Sequence, residues 1–404
     1  MATGEGLVRL VALIAAMTCG AAVFVDVFQT IILPRRVTGR FRITRLFIIV
    51  TWYPWSYVGG RMKDAKARDQ FYSFYGPLSL ILLLLLWASL LAFGFALFYF
   101  SMGTPFVDPL GLHALRGTSR FLTDLYVSGT TLFTLGLGDI VPRSLLARVA
   151  IVLESGMGLG FIALVIGYLP VLYQTFSRRE VSIALLDARA GSPPTATELL
   201  RRHNFEGGEE ALIELLVEWE RWSAELLESH ISYPILCFYR SQHDTQSWLA
   251  GLVAVLDTCA LLISVLEGPA SRQAQLTFLM ARHALVDIGN VFHVQEQKAW
   301  MAQKAQGRLE GQTFDRLCEM LSEMGLNLCA DRASAERLKT VRDLYEPHAA
   351  ALSDYLRMPL PAWVTEKKTK DQWTLLTKLS KEAIANRGHV VQKVSALMHD
   401  EHGH

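Results

Sequence analysis

The sequence predicts an all-α membrane protein, with three transmembrane helices and one re-entrant segment in its first part and a cytoplasmic α-helical bundle after them. Three observations carry this expectation. The 404 residues are 51% hydrophobic and only 19% charged, and the charge is crowded into the second part, so a net charge of +1 hides two regions of different character. Three apolar runs are long enough to cross a hydrocarbon core of about 30 Å at about 1.5 Å per residue. Between the last two lies a stretch rich in Gly and Thr that is too short and too polar to span.

The first run, Leu7 to Leu33, is broken only by Arg9 and Asp26. As a signal peptide it would be too long, with a single Arg in its n-region and no clean small-residue cleavage site, so a retained helix is expected. The basic residues Arg35, Arg36, Arg40, Arg42, Arg45, Arg61, Lys63, Lys66 and Arg68 follow. Under the positive-inside rule this loop stays in the cytoplasm, which puts the N-terminus outside and the second half inside. Within it, Leu46 to Val58 is apolar but too short to cross. With Trp52, Tyr53, Trp55 and Tyr57 it reads as an interfacial helix at the headgroup level. The basic residues lack the regular period of a voltage sensor. Pro77 to Phe100 and Leu145 to Phe176 are the second and third spans. The organisation expected is 1–76, 77–176 and 177–404, in a multi-pass protein of the cell membrane.

The segment from Phe121 to Pro142 reads FLTDLYVSGTTLFTLGLGDIVP. It has to enter the membrane and return on the same side. Irregular backbone at membrane depth is tolerated only where protein buries it or where it lines a watery cavity.

The run Thr-Leu-Phe-Thr-Leu-Gly-Leu-Gly-Asp resembles the signature of the potassium channel pore family, of the bacterial ion-channel type, in which a short pore helix leads into Thr-x-Gly-Tyr-Gly-Asp. The resemblance covers about residues 77–176, making that stretch the pore domain. The chemistry needs these residue types. A dehydrated K⁺ has to be met by stacked rings of oxygens, and alternating glycines permit backbone angles that bring successive carbonyls to one side. By resemblance, the K⁺ ligands are the carbonyls of Thr134, Leu135, Gly136 and Leu137 with the Thr134 hydroxyl. Gly138 turns the chain and Asp139 anchors the outer mouth. K⁺ is thus the permeant ion, and no organic cofactor is expected. Leu122 to Phe133 would form the pore helix, its carbonyl end favouring a cation. The hydroxyls of Ser128, Thr130 and Thr131 either bond the filter backbone from behind or make ordinary helix–helix hydrogen bonds.

This sequence departs from the family at Leu137, where an aromatic residue is usual. Leu cannot hydrogen-bond, so the lateral brace that Tyr126 would have joined is lost, while the carbonyl ladder belongs to the backbone and survives. A Gly-Leu-Gly-Asp version resembles the second pore segment of animal two-pore-domain channels.

On the helix after the filter, Gly158 stands 24 residues beyond Thr134, near where the family places its hinge. Gly156, Gly160 and Gly167 are substitutes, and each glycine serves either bending or close packing. Pro170 would free a carbonyl one turn back. Ile162, Ile166 and Leu169 have the spacing to line a hydrophobic gate. Glu154, an ionisable residue inside a span, is a candidate by default, either pairing with a pore-helix hydroxyl or taking part in gating. One filter per chain and no internal repeat imply a homotetramer in a lipid bilayer.

The second half carries a turn at Gly191-Ser192-Pro193-Pro194, then Thr195 and Glu198 spaced as a capping box. Leu212, Leu215, Leu216, Trp219, Trp222, Leu226 and Leu227 keep a helical apolar stripe. Similar stripes run over Leu276–Val291, Phe314–Leu326, Ala333–Leu356 and Trp373–Met398. Ser247 to Leu266 is apolar enough to pass for a fourth span, but Asp257 at its centre favours a buried core helix.

The cysteines Cys19, Cys237, Cys259, Cys318 and Cys329 form no CxxC pair and read as buried free thiols. His283 and Asp287, with His243 and His293, either form a metal or proton sensor or serve capping and surface roles. His399, His402 and His404, beside Asp400 and Glu401, read as a solvated tail. No P-loop, HExxH or nucleophile–base constellation argues for an enzyme, and nothing points to nucleic acid. Two alternatives to selective K⁺ conduction stand: a weakly selective or nonselective cation channel, and a membrane-anchored signalling or interaction protein with a non-conducting pore. An unknown cytoplasmic ligand or protein is compatible with any of them.

Overall fold

The computed structural model describes residues 2–33, 42–103, 105–107, 118–242, 246–266, 268–292, 308–309, 311–326 and 332–363. The chain is mostly helical and divides into two compact units: Met1–Phe176 with Ser232–Tyr239, and Ser177–Ile231 with Arg240–His404.

The first unit begins with α1 (Ala2–Val27) and a π turn at Phe28–Ile32, followed by α2 (Ile43–Gly60), α3 (Ala65–Ser73) and α4 (Tyr75–Ser101). Then come β1 (Phe106–Val107), α5 (Thr118–Leu132), β2 (Val141–Pro142) and α6 (Leu145–Ala190). Among the described residues, three stretches are long and apolar enough to cross a membrane: Gly4–Ile32, Ala65–Ser101 and Leu145–Ala190. They take in the three apolar runs of the sequence, all but Leu33. Nothing between Phe176 and Ala190 breaks a helix, so α6 continues until Gly191, whose positive φ of 84° ends it.

Packing of α1 on α4 is organised around a polar point. Asp26, buried within its span, accepts from the Trp87 indole at 2.9 Å, the Thr44 hydroxyl at 2.6 Å and the Thr44 amide at 3.1 Å. Arg42 lies 3.9 Å away. A carboxylate in an apolar helix is tolerated because fixed donors replace its water. Val23, Leu83, Trp87, Leu91, Ala92 and Leu132 form the apolar cluster beside it.

The aromatic residues of α2 divide between two faces. Trp52 is buried against Tyr72 and Tyr75, and Trp55 stacks on Phe71 at 4.4 Å, whereas Tyr53 and Tyr57 are exposed. Trp55 stays half-buried, so of the two indoles Trp52 alone is enclosed. Arg35, Arg36 and Arg40 lie outside the described residues.

In the second unit, α7 (Ala196–Arg202) starts at Thr195, whose hydroxyl accepts from the Glu198 amide at 3.3 Å. That is half of the expected capping box. The Glu198 carboxylate turns instead to Arg201 and Arg202. The stripe of α8 (Gly208–Ser232) is buried at Leu212, Leu215, Leu216, Trp219, Trp222 and Leu226. It is followed by a 3-10 turn at Pro234–Phe238, α9 (Trp248–Ser264), α10 (Ala270–Val291), α11 (Gly311–Glu323), α12 (Arg332–Asp343) and α13 (Glu346–Leu356). The stripe expected over Ala333–Leu356 is two helices, and the one over Trp373–Met398 lies outside the described residues.

Almost every residue of α9 is buried, which makes it the core helix of this unit. Its Asp257 is 1% exposed and meets Arg308 at 2.6 Å, while Arg308 also reaches Glu346 at 2.8 Å and Arg342 reaches Glu346 at 2.8 Å. His230 is buried too, against the Trp248 ring, 3.3 Å from an Arg179 guanidinium nitrogen and 2.9 Å from the Leu226 carbonyl. Burial, then the Arg179 charge, holds its pKa well below the usual histidine value.

Candidate functional site

The Gly- and Thr-rich segment is built on α5, which is 15 residues long, far short of the length a span requires. Below Leu132 the chain leaves the helix through left-handed backbone at Thr134 (φ 57°), Gly136 (φ 56°) and Gly138 (φ 73°). For the glycines this costs little. A β-branched Thr in that region is strained by roughly 1–3 kcal/mol and persists only where its surroundings over-determine it. The surroundings here are the last carbonyls of α5. The Thr134 amide donates to Thr131 at 3.0 Å, and the amides of Leu135 and Gly136 donate to Thr130 at 2.8 and 3.4 Å.

The amides of Thr134, Leu135 and Gly136 are therefore turned towards α5. Among the described residues, no hydrogen bond ends on the carbonyl oxygens of Thr134, Leu135, Gly136 or Leu137. In the single chain the side chains of Leu135 and Leu137 are exposed, and a Cβ built on Gly136 or Gly138 would meet no other atom within 4 Å.

The far end of the segment is tied down. Asp139 accepts from the Tyr126 hydroxyl at 2.8 Å and from the Ile140 amide at 3.0 Å. Ile140 joins Tyr99, Phe106, Val127 and Ala150 in one apolar cluster. Beyond it, β2 pairs antiparallel with β1, and the Arg143 amide donates to Pro105 at 2.7 Å. Tyr126 is engaged, but with Asp139 and not with position 137.

Behind α5, Glu154 is fully buried. It accepts from the Ser128 hydroxyl at Oε1 and from the Tyr99 hydroxyl at Oε2, the latter at 2.6 Å. Ser128 lies 2.8 Å from the Ala92 carbonyl as well. The hydroxyls of Ser128 and Thr130 thus serve the helices, Thr130 donating to Val127 at 3.0 Å, while the segment is held through the carbonyls of Thr130 and Thr131. Sequence reasoning missed Tyr99, which lies 55 positions from Glu154. It also missed Asp124, buried on α5 with Oδ2 lacking a donor among the described residues.

On α6, Gly158 presses against the end of α5, where an added Cβ would overlap the Leu132 carbonyl. Close packing is the role visible here. Gly156, Gly160 and Gly167 have nothing nearby, and the helix runs on through Pro170. Ile162, Ile166 and Leu169 are exposed in the single chain. Tyr168, Leu172 and Phe176 of the same helix are buried.

The imidazole of His283 and the carboxylate of Asp287 are 3.9 Å apart on an exposed face. Among the described residues no group of three or more His, Cys, Asp or Glu is placed to hold a metal. His243, His293, His399, His402, His404 and Cys329 lie outside those residues. Cys19, Cys237, Cys259 and Cys318 are free thiols.

Residues 85–174 form an ion-channel domain, matching the family described as Ion channel. The ion-channel domain takes in α5, the Thr134–Asp139 segment and the first part of α6, together with most of α4. A second similarity is to the uncharacterized membrane protein YdjJ of Bacillus subtilis (strain 168), 32% identical over 212 residues. That match covers 50% of this chain and 57% of the relative, so the chain spans little more than half of the relative's length. No solved structure matches the chain. An ion-channel domain, three helices able to cross a bilayer and a membrane-protein relative together make this a membrane protein.

Proposed function

We propose that the chain is one subunit of a homotetrameric potassium-selective channel. Thr134 to Asp139 act as its filter, α5 as its pore helix and the first part of α6 as its inner helix. The observation that carries this reading is the unengaged row of carbonyls at Thr134, Leu135, Gly136 and Leu137, following a short helix whose last carbonyls accept from the amides of Thr134, Leu135 and Gly136. Four such rows around one axis would replace the hydration shell of K⁺, and the aligned carbonyls of α5 add favourable potential for a cation.

The protein's own residues do the positioning. Tyr126 and the Ile140 amide fix the outer end through Asp139, while Glu154, Ser128 and Tyr99 hold α5 against α4 and α6. Ile162, Ile166 and Leu169 would form the hydrophobic constriction on the cytoplasmic side, with the N-terminus outside and the second unit inside. Leu137 supports a weakly selective cation channel as the competing reading, because a ring of four Leu adds no lateral hydrogen bond to stiffen the filter.

Reversal potentials of the purified protein in liposomes separate the two. Selective conduction places the reversal close to the K⁺ equilibrium potential under opposed K⁺ and Na⁺ gradients, whereas equal permeability places it near zero. A Gly136→Ala variant, forced to hold a side chain at a φ of 56°, is expected to lose K⁺ flux while remaining assembled. Unchanged flux would remove this segment from the pathway.

A further inference from the structure

Ser232–Tyr239 is separated from the rest of the first unit by more than fifty residues of sequence, yet it belongs to that unit. Its short 3-10 turn, closed by the Leu236 amide on Tyr233 at 2.9 Å and the Tyr239 amide on Leu236 at 3.1 Å, presents apolar side chains in several directions at once. Ile235 and Leu236 are buried with Leu80 of α4 and Leu172 of α6. Tyr233 meets the Tyr168 ring at 5.6 Å and Tyr239 meets the Phe176 ring at 5.6 Å, both on α6. Phe238 packs edge-on to Trp52 of α2 at 5.0 Å and to Tyr75 at 5.1 Å. Gly76 makes the approach to α4 possible, since a Cβ there would stand 2.7 Å from the Tyr239 ring and 3.2 Å from the Phe238 carbonyl.

Both ends of this turn run directly into the second unit. On one side it continues from α8. On the other, Arg240 donates to the carbonyls of Leu356 and Arg357, at 3.0 and 2.8 Å, where α13 ends.

From this we infer that Ser232–Tyr239 is a coupling wedge: the second unit controls the inner helix by seating or withdrawing this turn between α2, α4 and the lower part of α6. The inference rests on the pore reading of α6 given above. Tyr168, Leu172 and Phe176, at i, i+4 and i+8, are held by the wedge, while Ile162, Ile166 and Leu169 of the same helix are exposed in the single chain. A rigid helix transmits a displacement of its held side chains to the rest of its length. A seated wedge therefore fixes the position of the gate side chains, and withdrawing it releases them.

The test uses the full chain in vesicles of phosphatidylethanolamine and phosphatidylglycerol, with the native cysteines replaced by Ala and a reporter at Leu169→Cys. Two readouts are followed, K⁺ flux and the rate at which the reporter reacts with a charged thiol reagent. Gly76→Leu pushes the turn off α4, Tyr239→Ala removes its contact with Phe176, and Tyr239→Phe keeps that contact as the control. Gly76→Leu and Tyr239→Ala are expected to shift the reporter rate about tenfold, in the same direction, as suits a coupling of ordinary strength. Tyr239→Phe is expected to leave the rate unchanged. If Gly76→Leu fails to assemble, Tyr239→Ala decides alone. Unchanged reporter rates in the assembled variants overturn the wedge whether or not the protein conducts. A shifted rate without K⁺ flux in any variant, the parent included, keeps the wedge and refutes the pore.

Discussion

Each unit of this protein hides a carboxylate inside a helix, and the two are satisfied in opposite ways. Among the described residues, Glu154, within a helix able to cross a membrane, meets only hydroxyls, those of Tyr99 and Ser128. Asp257, at the centre of α9, meets a guanidinium: Arg308 lies on both of its oxygens, at 2.6 and 3.4 Å, and the Tyr345 hydroxyl completes the set. Neutral donors orient a carboxylate without bringing a second charge into an apolar layer, which suits a group whose task is to hold α5 in place. An ion pair carries a larger desolvation cost and punishes any rearrangement that separates it. Glu154 is thus braced by hydrogen bonds that can adjust, and Asp257 is locked by charge.

The largest effect that would break this comparison is expected at α9. Asp257→Ala leaves Arg308 buried with only Glu346 as its counter-ion, and should destabilise the second unit by about 3–5 kcal/mol, read by denaturant unfolding. A loss below about 1 kcal/mol would show that the charge is not locked in at all.

Next comes Glu154→Ala, which strands the Tyr99 hydroxyl and should cost about 1–3 kcal/mol. Glu154→Gln keeps an acceptor for one hydroxyl and offers a donor to the other, so it should recover most of that loss and keep K⁺ flux. Equal damage by Gln and Ala would mean that the negative charge itself is required.

A smaller effect separates the units by pH. His230 is held neutral in the folded state, with its pKa depressed by burial and Arg179. As pH falls through about 6.5 the unfolded chain takes up a proton that the folded chain refuses, so stability falls by up to about 1.4 kcal/mol per pH unit. His230→Phe should remove one proton from that slope. A slope unchanged by the substitution would place the titration elsewhere. The smallest effect is expected for Tyr126→Phe, whose ring is partly exposed. It should alter selectivity or filter stability in flux recordings without changing the assembly.

What the sequence discloses and what it withholds follow the same division. The spans are legible because apolar length is a local property, and the bent backbone after α5 is legible in part because Gly136 and Gly138 admit left-handed angles, while that of Thr134 depends on α5. Asp257 signals a core helix because a lone charge at the centre of an apolar run needs a partner. The partners themselves are long-range. Arg308 lies 51 positions from Asp257 and Tyr99 lies 55 from Glu154, so no periodicity announces either. Ile235, Leu236 and Phe238 likewise read as ordinary core residues, and only the folded chain shows that their core is the first unit. Gly158 illustrates a different limit, since one residue type serves both bending and close approach and only the neighbouring Leu132 carbonyl distinguishes them.

The central claim is that four copies of one segment aim their main-chain oxygens at a common line. The structure of the full-length protein in lipid, determined with Tl⁺ in place of K⁺, tests it most directly. The account predicts a four-fold assembly with Tl⁺ density on the axis, ringed by the carbonyls of Thr134, Leu135, Gly136 and Leu137. The segment lying away from any symmetry axis, or an axis ringed by these carbonyls but empty of Tl⁺, would contradict it.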